Sequence, residues 1–378
     1  MADPATGSAR PQQTDQAGLE QLVALARRLI SYDTSGKEAM HEAAGFVRGW
    51  LEARGCEAVE EGVRDLPVIK AERGPEGAPT VVLHGHLDVV PGHPEQFDAR
   101  VEGDRLYGRG AYDMKGALAA MLVAFCDAPT DRVRLRLGIV SDEESEEEVD
   151  RGSDHLVETG FTGDFVVTGE PTDLHIGIQA KGVLAVRLGV NGTAAHGATP
   201  WLGDNAVLKA IEVFRRIQSL PFAAESSELF DRPSINLGRI IGGDALNKVP
   251  DRCVIDVDIR YLPNQEPAAV LAQIAELPDT DVVATFTRPP AVVDPDSVFV
   301  RVLRDAAAPH HGKELRSVGR DGASDAVSFL RAGIPAVEFG PRGAGHHGPQ
   351  EWVSLSSLRS YQAALGGFLE ALPRHLGS

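Results

Sequence analysis

The 378-residue chain is predicted to be an α/β protein with a ferredoxin-like α+β domain inserted into its second half. Three observations carry this. Apolar runs of strand length alternate with helix-period segments through residue 180, the pattern of an α/β layer fold. From residue 181 to 290 the order becomes strand, helix, strand, strand, helix, strand, which is the ferredoxin-like order. After Arg288-Pro289-Pro290 the α/β pattern resumes, so the small domain interrupts the large one.

The elements follow in order. Residues 1–16 are polar and rich in Pro, Ala and Gln, with no apolar signal-peptide segment, and are expected to be a disordered tail. Leu19, Leu22, Val23, Ala26, Leu29 and Ile30 recur at helical spacing. A second helix spans residues 39–53, with Gly55 as its cap. Residues 68–71 and 80–83 read as strands. Residues 114–128 read as an apolar helix buried on most sides, which places Cys126 in the core. Residues 135–140 and 165–167 are further strands. Within the insert, strands are expected at 183–190, 235–240, 253–260 and 282–287, and helices at 205–220 and 268–276. Helices at 297–307 and 325–332, a strand at 335–339 and a helix from Ser354 complete the chain. The expected boundaries are therefore 17–180 with 291–378 for the large domain and 181–290 for the insert.

Composition bounds the partners. Hydrophobic residues make up 43%, enough for a large core, and 37 basic against 55 acidic residues give a net charge of −18. Such a surface repels nucleic acid and anionic membranes, so neither is expected as a partner. The three cysteines, Cys56, Cys126 and Cys253, form no closely spaced pair, which argues against a disulfide framework or a thiolate zinc site. No apolar run approaches a membrane span. A cytoplasmic location is expected.

Chemistry concentrates where strands end. His86 closes the run Val81-Val82-Leu83-His84-Gly85-His86-Leu87-Asp88, and at strand spacing Asp88 points the same way as His86 and is placed to orient it. Asp113 opens the apolar helix after Gly108-Arg109-Gly110-Ala111-Tyr112; an ordinary helix N-cap is the competing reading. Glu143 and Glu144 follow the strand at 135–140 and begin an acidic run, Asp142 to Asp150, whose later members read as solvated surface. One carboxylate of such a pair can ligate while its neighbour serves as general base. Glu170 follows the next strand, with Pro171 holding it extended; a plain turn is the alternative. A glycine-rich loop, Gly340 to Gly348, carries His346 and His347. Ligands of open α/β sheets gather beyond the carboxyl ends of the strands. Two histidines and three carboxylates there, His86, Asp113, Glu144, Glu170 and His347, can hold two divalent metals if one carboxylate bridges, which points to metal-assisted hydrolysis. The near-match His41-Glu42-Ala43-Ala44-Gly45 lacks the second histidine of a zinc-protease helix, and no Gly-x-Ser-x-Gly elbow occurs.

These segments, in this order, resemble the dinuclear zinc amidohydrolase and metallopeptidase family of acetylornithine deacetylase, succinyl-diaminopimelate desuccinylase, aminoacylase and glutamate carboxypeptidase. The resemblance rests on Gly85-His86-Leu87-Asp88-Val89-Val90-Pro91, Gly108-Arg109-Gly110 with Asp113-Met114-Lys115-Gly116, Asp142-Glu143-Glu144, Gly169-Glu170-Pro171, Ala195-His196 and His347-Gly348-Pro349-Gln350-Glu351. It implies a zinc-peptidase-type α/β catalytic domain with an inserted lid and dimerisation domain, and two divalent ions per chain, Zn²⁺ with Co²⁺ or Mn²⁺ as substitutes. It implies that His86 and Glu170 hold one ion, Glu144 and His347 the other, and that Asp113 bridges. His347 rather than His346 fits, since the family's ligand lies four residues before the position of Glu351. Glu143 would be the general base, with Asp88 assisting. His196 would reach a neighbouring subunit's site in a homodimer, and Asn247 and Arg260 would contact substrate. The implied reaction is hydrolysis of an amide bond in an N-acyl amino acid with a free carboxylate. A dipeptidase or carboxypeptidase reading uses the same machinery, and a non-catalytic binding protein on this scaffold is the rival from another class. One departure stands out: glycines usual soon after the Glu pair are replaced by Ser145-Glu146-Glu147-Glu148-Val149-Asp150-Arg151.

Overall fold

The structure, a computed structural model, describes residues 10–145, 150–312, 314–322 and 324–376. The chain divides into two units, Met1–Ile178 with Val293–Ser317 and Ser324–Ser378, and Gln179–Val292 with Val318–Ala323.

In the large unit, α1 (Arg10–Ile30) and α2 (Lys37–Glu52) precede three strands, β1 (Ala58–Val63), β2 (Leu66–Arg73) and β3 (Thr80–His86). α3 (Lys115–Asp127), β4 (Arg134–Val140), α4 (Gly152–Glu158), β5 (Phe165–Thr168) and β6 (Ile176–Ala180) follow. α1 begins at Arg10, inside the stretch expected from sequence to be a tail; residues 1–9 lie outside the described residues. β3 runs parallel to β4 and to β5, and the strand Ala336–Glu338 extends the parallel set beside β5. β2 is antiparallel to β4, and β1 is the edge beyond it. The parallel strands therefore end on one side at His86, Val140, Thr168 and Glu338. Nearly every residue of α3 from Lys115 to Phe125 is buried, as its unbroken apolar sequence requires, and it packs against α1, β3 and the C-terminal helix Leu355–Leu376. Gly116 permits this approach, because a Cβ there would meet the Ala111 carbonyl.

Four short strands form a second small sheet in the order Gly343–Ala344, Trp352–Ser354, Arg105–Tyr107, Arg100–Glu102. They tie the glycine-rich loop after residue 340 to the Gly108–Asp113 segment. The sequence reading did not contain them, because two or three residues are too few to show a period.

In the small unit the order is β7 (Gly182–Asn191), α5 (Ala206–Ile217), β8 (Ser234–Gly242), β9 (Arg252–Tyr261), α6 (Pro267–Ala275) and β10 (Thr280–Arg288). The sheet runs β8-β9-β7-β10, all antiparallel. β9 alternates buried and partly buried residues along its length, and Ile255, Val257 and Ile259 pack with Leu184, Val186 and Leu188 of β7 and with Ala210, Val213 and Ile217 of α5. The unit also takes residues 318–323, outside the segment 181–290 expected from sequence. Lys181 explains why. Its Nζ is 2.7 Å from Asp321 and its backbone N–H donates to Arg320. Pairing over such a sequence distance leaves no local signature.

Among the described residues, no helix is long and apolar enough to cross a membrane. All three cysteines are free thiols, and Cys126 is partly buried, with its Sγ 3.5 Å from that of Cys56.

Candidate metal centre

The side of the large unit where the parallel strands end collects the candidate ligands. His86 is the last residue of β3 and is fully buried. Glu143 and Glu144 lie in the turn after β4, and Glu170 lies two residues past β5. Asp113 stands just before α3, at a cis peptide bond to Met114. His347 sits in the glycine-rich loop with φ of 61°.

Two groupings share Asp113. His86 Nε2 is 3.3 Å from Asp113 Oδ1 and 3.9 Å from Glu170 Oε1. His347 Nε2 is 2.8 Å from Glu144 Oε1 and 3.7 Å from Asp113 Oδ2. The two oxygens of Asp113 thus face different imidazoles. Ligand atoms of His86, Asp113 and Glu144 all lie within 4.8 Å of one another. The helix N-cap alternative for Asp113 does not describe it: Met114 takes the cap position and no side chain caps the helix.

The electrostatics follow from crowding. Burial alone would lower the His86 pKa, but hydrogen bonds to Asp113 and Asp88 outweigh it and hold the ring well above its usual value. Glu144 raises His347 in the same way. Burial, reinforced by the Glu170 charge, pushes Glu143 well above the ordinary carboxylate range. Four carboxylates and two imidazoles thus crowd one site. Imidazole with carboxylate oxygen is a donor set that suits a divalent metal such as zinc, cobalt or manganese, and the divided faces of Asp113 suit a bridging carboxylate. On this chemistry the residues fit the metal.

A supporting layer fixes the donors. His86 Nδ1 is 3.0 Å from the Asp88 carbonyl and 3.5 Å from Asp88 Oδ1. Asp88 Oδ2 accepts the Glu144 backbone N–H at 2.8 Å, so one carboxylate orients both residues. Three features here were not legible as functional in the sequence. Buried Glu351 accepts the backbone N–H groups of Gly110, Tyr112 and Asp113 at 3.0 to 3.1 Å and pairs with Arg109 at 2.9 Å. Arg109 also donates to the His347 carbonyl at 3.3 Å. Arg151 donates to the carbonyls of Asp142 and Glu143 at 2.9 and 2.6 Å, holding the turn that carries the Glu pair. Asp142, first of the acidic run, is buried against Arg64 at 2.6 Å. In the sequence Arg109, Asp142 and Glu351 stand only as members of motifs and Arg151 carries no signal; the partners are too distant to be read. Asp150 is exposed, as the solvated reading expected, while Glu146, Glu147 and Glu148 lie outside the described residues.

His346 is exposed, and its ring lies 5.9 Å from that of Tyr112. In the small unit, His196 and Asn247 come together. Gly197 N–H donates to the Asn247 carbonyl at 2.7 Å, and His196 bridges to Lys248. A Cβ at Gly197 would meet the Asn247 backbone at 3.0 Å, so the glycine permits the contact. Both His196 and Asn247 are exposed. Arg260, on β9, pairs with Asp258 at 3.0 Å.

Known proteins carry the same organisation. The family model described as peptidase family M20/M25/M40 matches residues 82–371. A succinyl-diaminopimelate desuccinylase of Gluconobacter oxydans is 32% identical over 373 residues, covering 92% of this chain and 96% of that protein. A protein of the same name from Novosphingobium aromaticivorans is 30% identical over 342 residues, covering 86% of this chain and 89% of its own length. Among solved structures, an M20 family metallo-carboxypeptidase of Sulfolobus solfataricus superposes with a TM-score of 0.77 at 20% identity, covering 94% of this chain and 99% of that one. A match across most of the chain, with the donors gathered where the parallel strands end, places the protein: it belongs to peptidase family M20/M25/M40.

Proposed function

We propose that the protein hydrolyses the amide bond of an N-acyl amino acid, with N-succinyl and N-acetyl substrates as the first choices. The division of Asp113 between the two imidazoles carries this reading, because it supports a pair of divalent ions. Two relatives that match most of the chain bear the desuccinylase name, which favours the acyl amino acid over a peptide. A dipeptidase or carboxypeptidase activity is the second reading, favoured by the similarity to the metallo-carboxypeptidase.

In this reading His86 and Glu170 hold one ion, Glu144 and His347 the other, and Asp113 bridges. Zinc is the ion of choice, with cobalt or manganese able to substitute. Two such ions, when bound, polarise the scissile carbonyl and make water nucleophilic at neutral pH. The chain's own part is proton transfer and positioning. Glu143 takes a proton from the attacking water. The water oxygen bonds to the carbonyl carbon, the C–N bond breaks, and Glu143 delivers the proton to the leaving nitrogen. Asp88 keeps His86 and Glu144 in place. Arg260 and Asn247 bind the substrate carboxylate, for which an arginine offers paired donors.

We also propose a homodimer formed through the small unit, in which His196 completes the partner's site and stabilises the oxyanion. Support comes from β8, an edge strand of its sheet, and from α5, which packs on it. Leu208 on α5 is 64% exposed and Ile241 on β8 is 61% exposed, an apolar edge of the kind that partners cover.

The test is a panel of N-acetyl, N-succinyl and dipeptide substrates assayed on protein of measured metal content. Turnover of acyl amino acids above dipeptides is expected; a preference for dipeptides would select the second reading.

A further inference from the structure

A cavity of about 270 Å³ opens beside the candidate metal centre, wholly within the large unit. Asp88 and Glu144 form one wall, so the cavity adjoins the donors directly. Met40, Val90 and Pro91 contribute apolar surface. Two cations, exposed Lys37 and half-buried Arg64, also line the cavity. They are not equivalent. Arg64 is committed to Asp142 at 2.6 Å and to the Asp150 carbonyl at 3.0 Å. Lys37 makes no ion pair among the described residues, and its one hydrogen bond reaches the Arg64 carbonyl at 3.5 Å. Lys37 also opens α2, whose N-cap Gly36 supplies no side-chain cap.

Resting on the amide-hydrolysis reading, we propose that this cavity receives the acyl group and that Lys37 binds a carboxylate at its far end. The occupant is a short dicarboxylic acyl chain of the succinyl or glutaryl class. The volume is below the usual range for drug-sized ligands, about 300 to 1,000 Å³, and suits a small acyl arm. The apolar wall suits its methylenes. Asp88 would repel a second carboxylate unless a cation met it, and Lys37 is the lining cation with no carboxylate partner among the described residues. Lys37 is therefore a specificity-determining residue, separate from the metal donors and the base.

The experiment compares the metal-loaded wild-type protein with Lys37→Met and Lys37→Arg. N-acetyl and N-succinyl derivatives of the same amino acid are the substrates, and free acetate and free succinate are probes read by calorimetric titration. Lys37→Met should raise KM for the N-succinyl substrate about tenfold, the scale of one charge-assisted hydrogen bond, and leave the N-acetyl substrate within about twofold. Lys37→Arg should keep most of the preference. Succinate should bind more tightly than acetate in the wild type, with the gap closing in Lys37→Met. Equal effects on both substrates, or succinate binding no more tightly than acetate in the wild type, would overturn the subsite. If neither N-acyl substrate turns over but the succinate preference appears and depends on Lys37, the hydrolysis reading fails and the anion site stands.

Discussion

Glu143 and Glu144 are adjacent in sequence and sit in different surroundings. Glu144 is 2.8 Å from His347, within the donor set, whereas Glu143 is held well above the usual carboxylate range by burial and by Glu170. An unligated carboxyl beside the donors suits proton transfer. Glu143→Gln is expected to keep fold and metals while turnover falls about 10² to 10⁴-fold, and Glu144→Gln is expected to lose metal. Steady-state kinetics with elemental analysis of both variants checks this; equal metal loss in the two would reverse the division of labour. Deeper in the same unit, His84 titrates in its own way. Its Nε2 is 2.9 Å from Ser153 Oγ, and that hydroxyl donates to Asp325 at 2.6 Å, so Nε2 carries the proton and donates to Ser153. Burial lowers His84 from 6.5 to about 4, against the opposing pull of Asp325. The folded pKa lies below the unfolded one, so the unfolded chain binds more protons between those values. Stability is then lost as pH falls from about 6.5 towards 4, by roughly 3 kcal/mol at pH 4.5. Denaturant unfolding of the wild type and His84→Gln between pH 7 and 4.5 should show the variant free of this loss; parallel curves would contradict it.

Among the elements, the loops before α3 and after residue 340 behave as one assembly because Glu351 joins them. Glu351→Ala would leave Arg109 buried without its carboxylate and three backbone N–H groups without their acceptor. Breaking such a buried pair costs about 3 to 5 kcal/mol. Thermal unfolding and metal content should both fall in that variant, and unchanged values would show that Asp113 and His347 are held some other way. The same assembly marks where sequence reading stops. Long periodic elements were legible: the strand ending at His86, the apolar α3 and the βαββαβ order all carry period or composition in local sequence. β1 was not, since Glu60 and Glu61 interrupt its apolar pattern; their charges are met by Arg48, Lys70 and His155 from elsewhere in the chain. α4 was hidden beside the acidic run. The candidate ligands were legible as a set because each follows a strand or opens a helix, while Arg109, Arg151 and Glu351 act on backbone groups that no local pattern reveals.

At the scale of the whole molecule, the proposed function requires a homodimer formed through the small unit. Mixing His196→Ala with Glu143→Gln tests the dimer. Each parent should be inactive, and subunit exchange should restore activity, because some mixed dimers then hold one complete site. No recovery in proven heterodimers would confine His196 to its own chain or to no role. The central claim is narrower and can be measured directly. Protein stripped by a chelator is titrated with zinc while bound metal and amide hydrolysis are followed together. No turnover is expected without metal and full turnover at two ions per chain, with Asp113→Asn unable to retain the pair. Full turnover by the metal-free protein would contradict it.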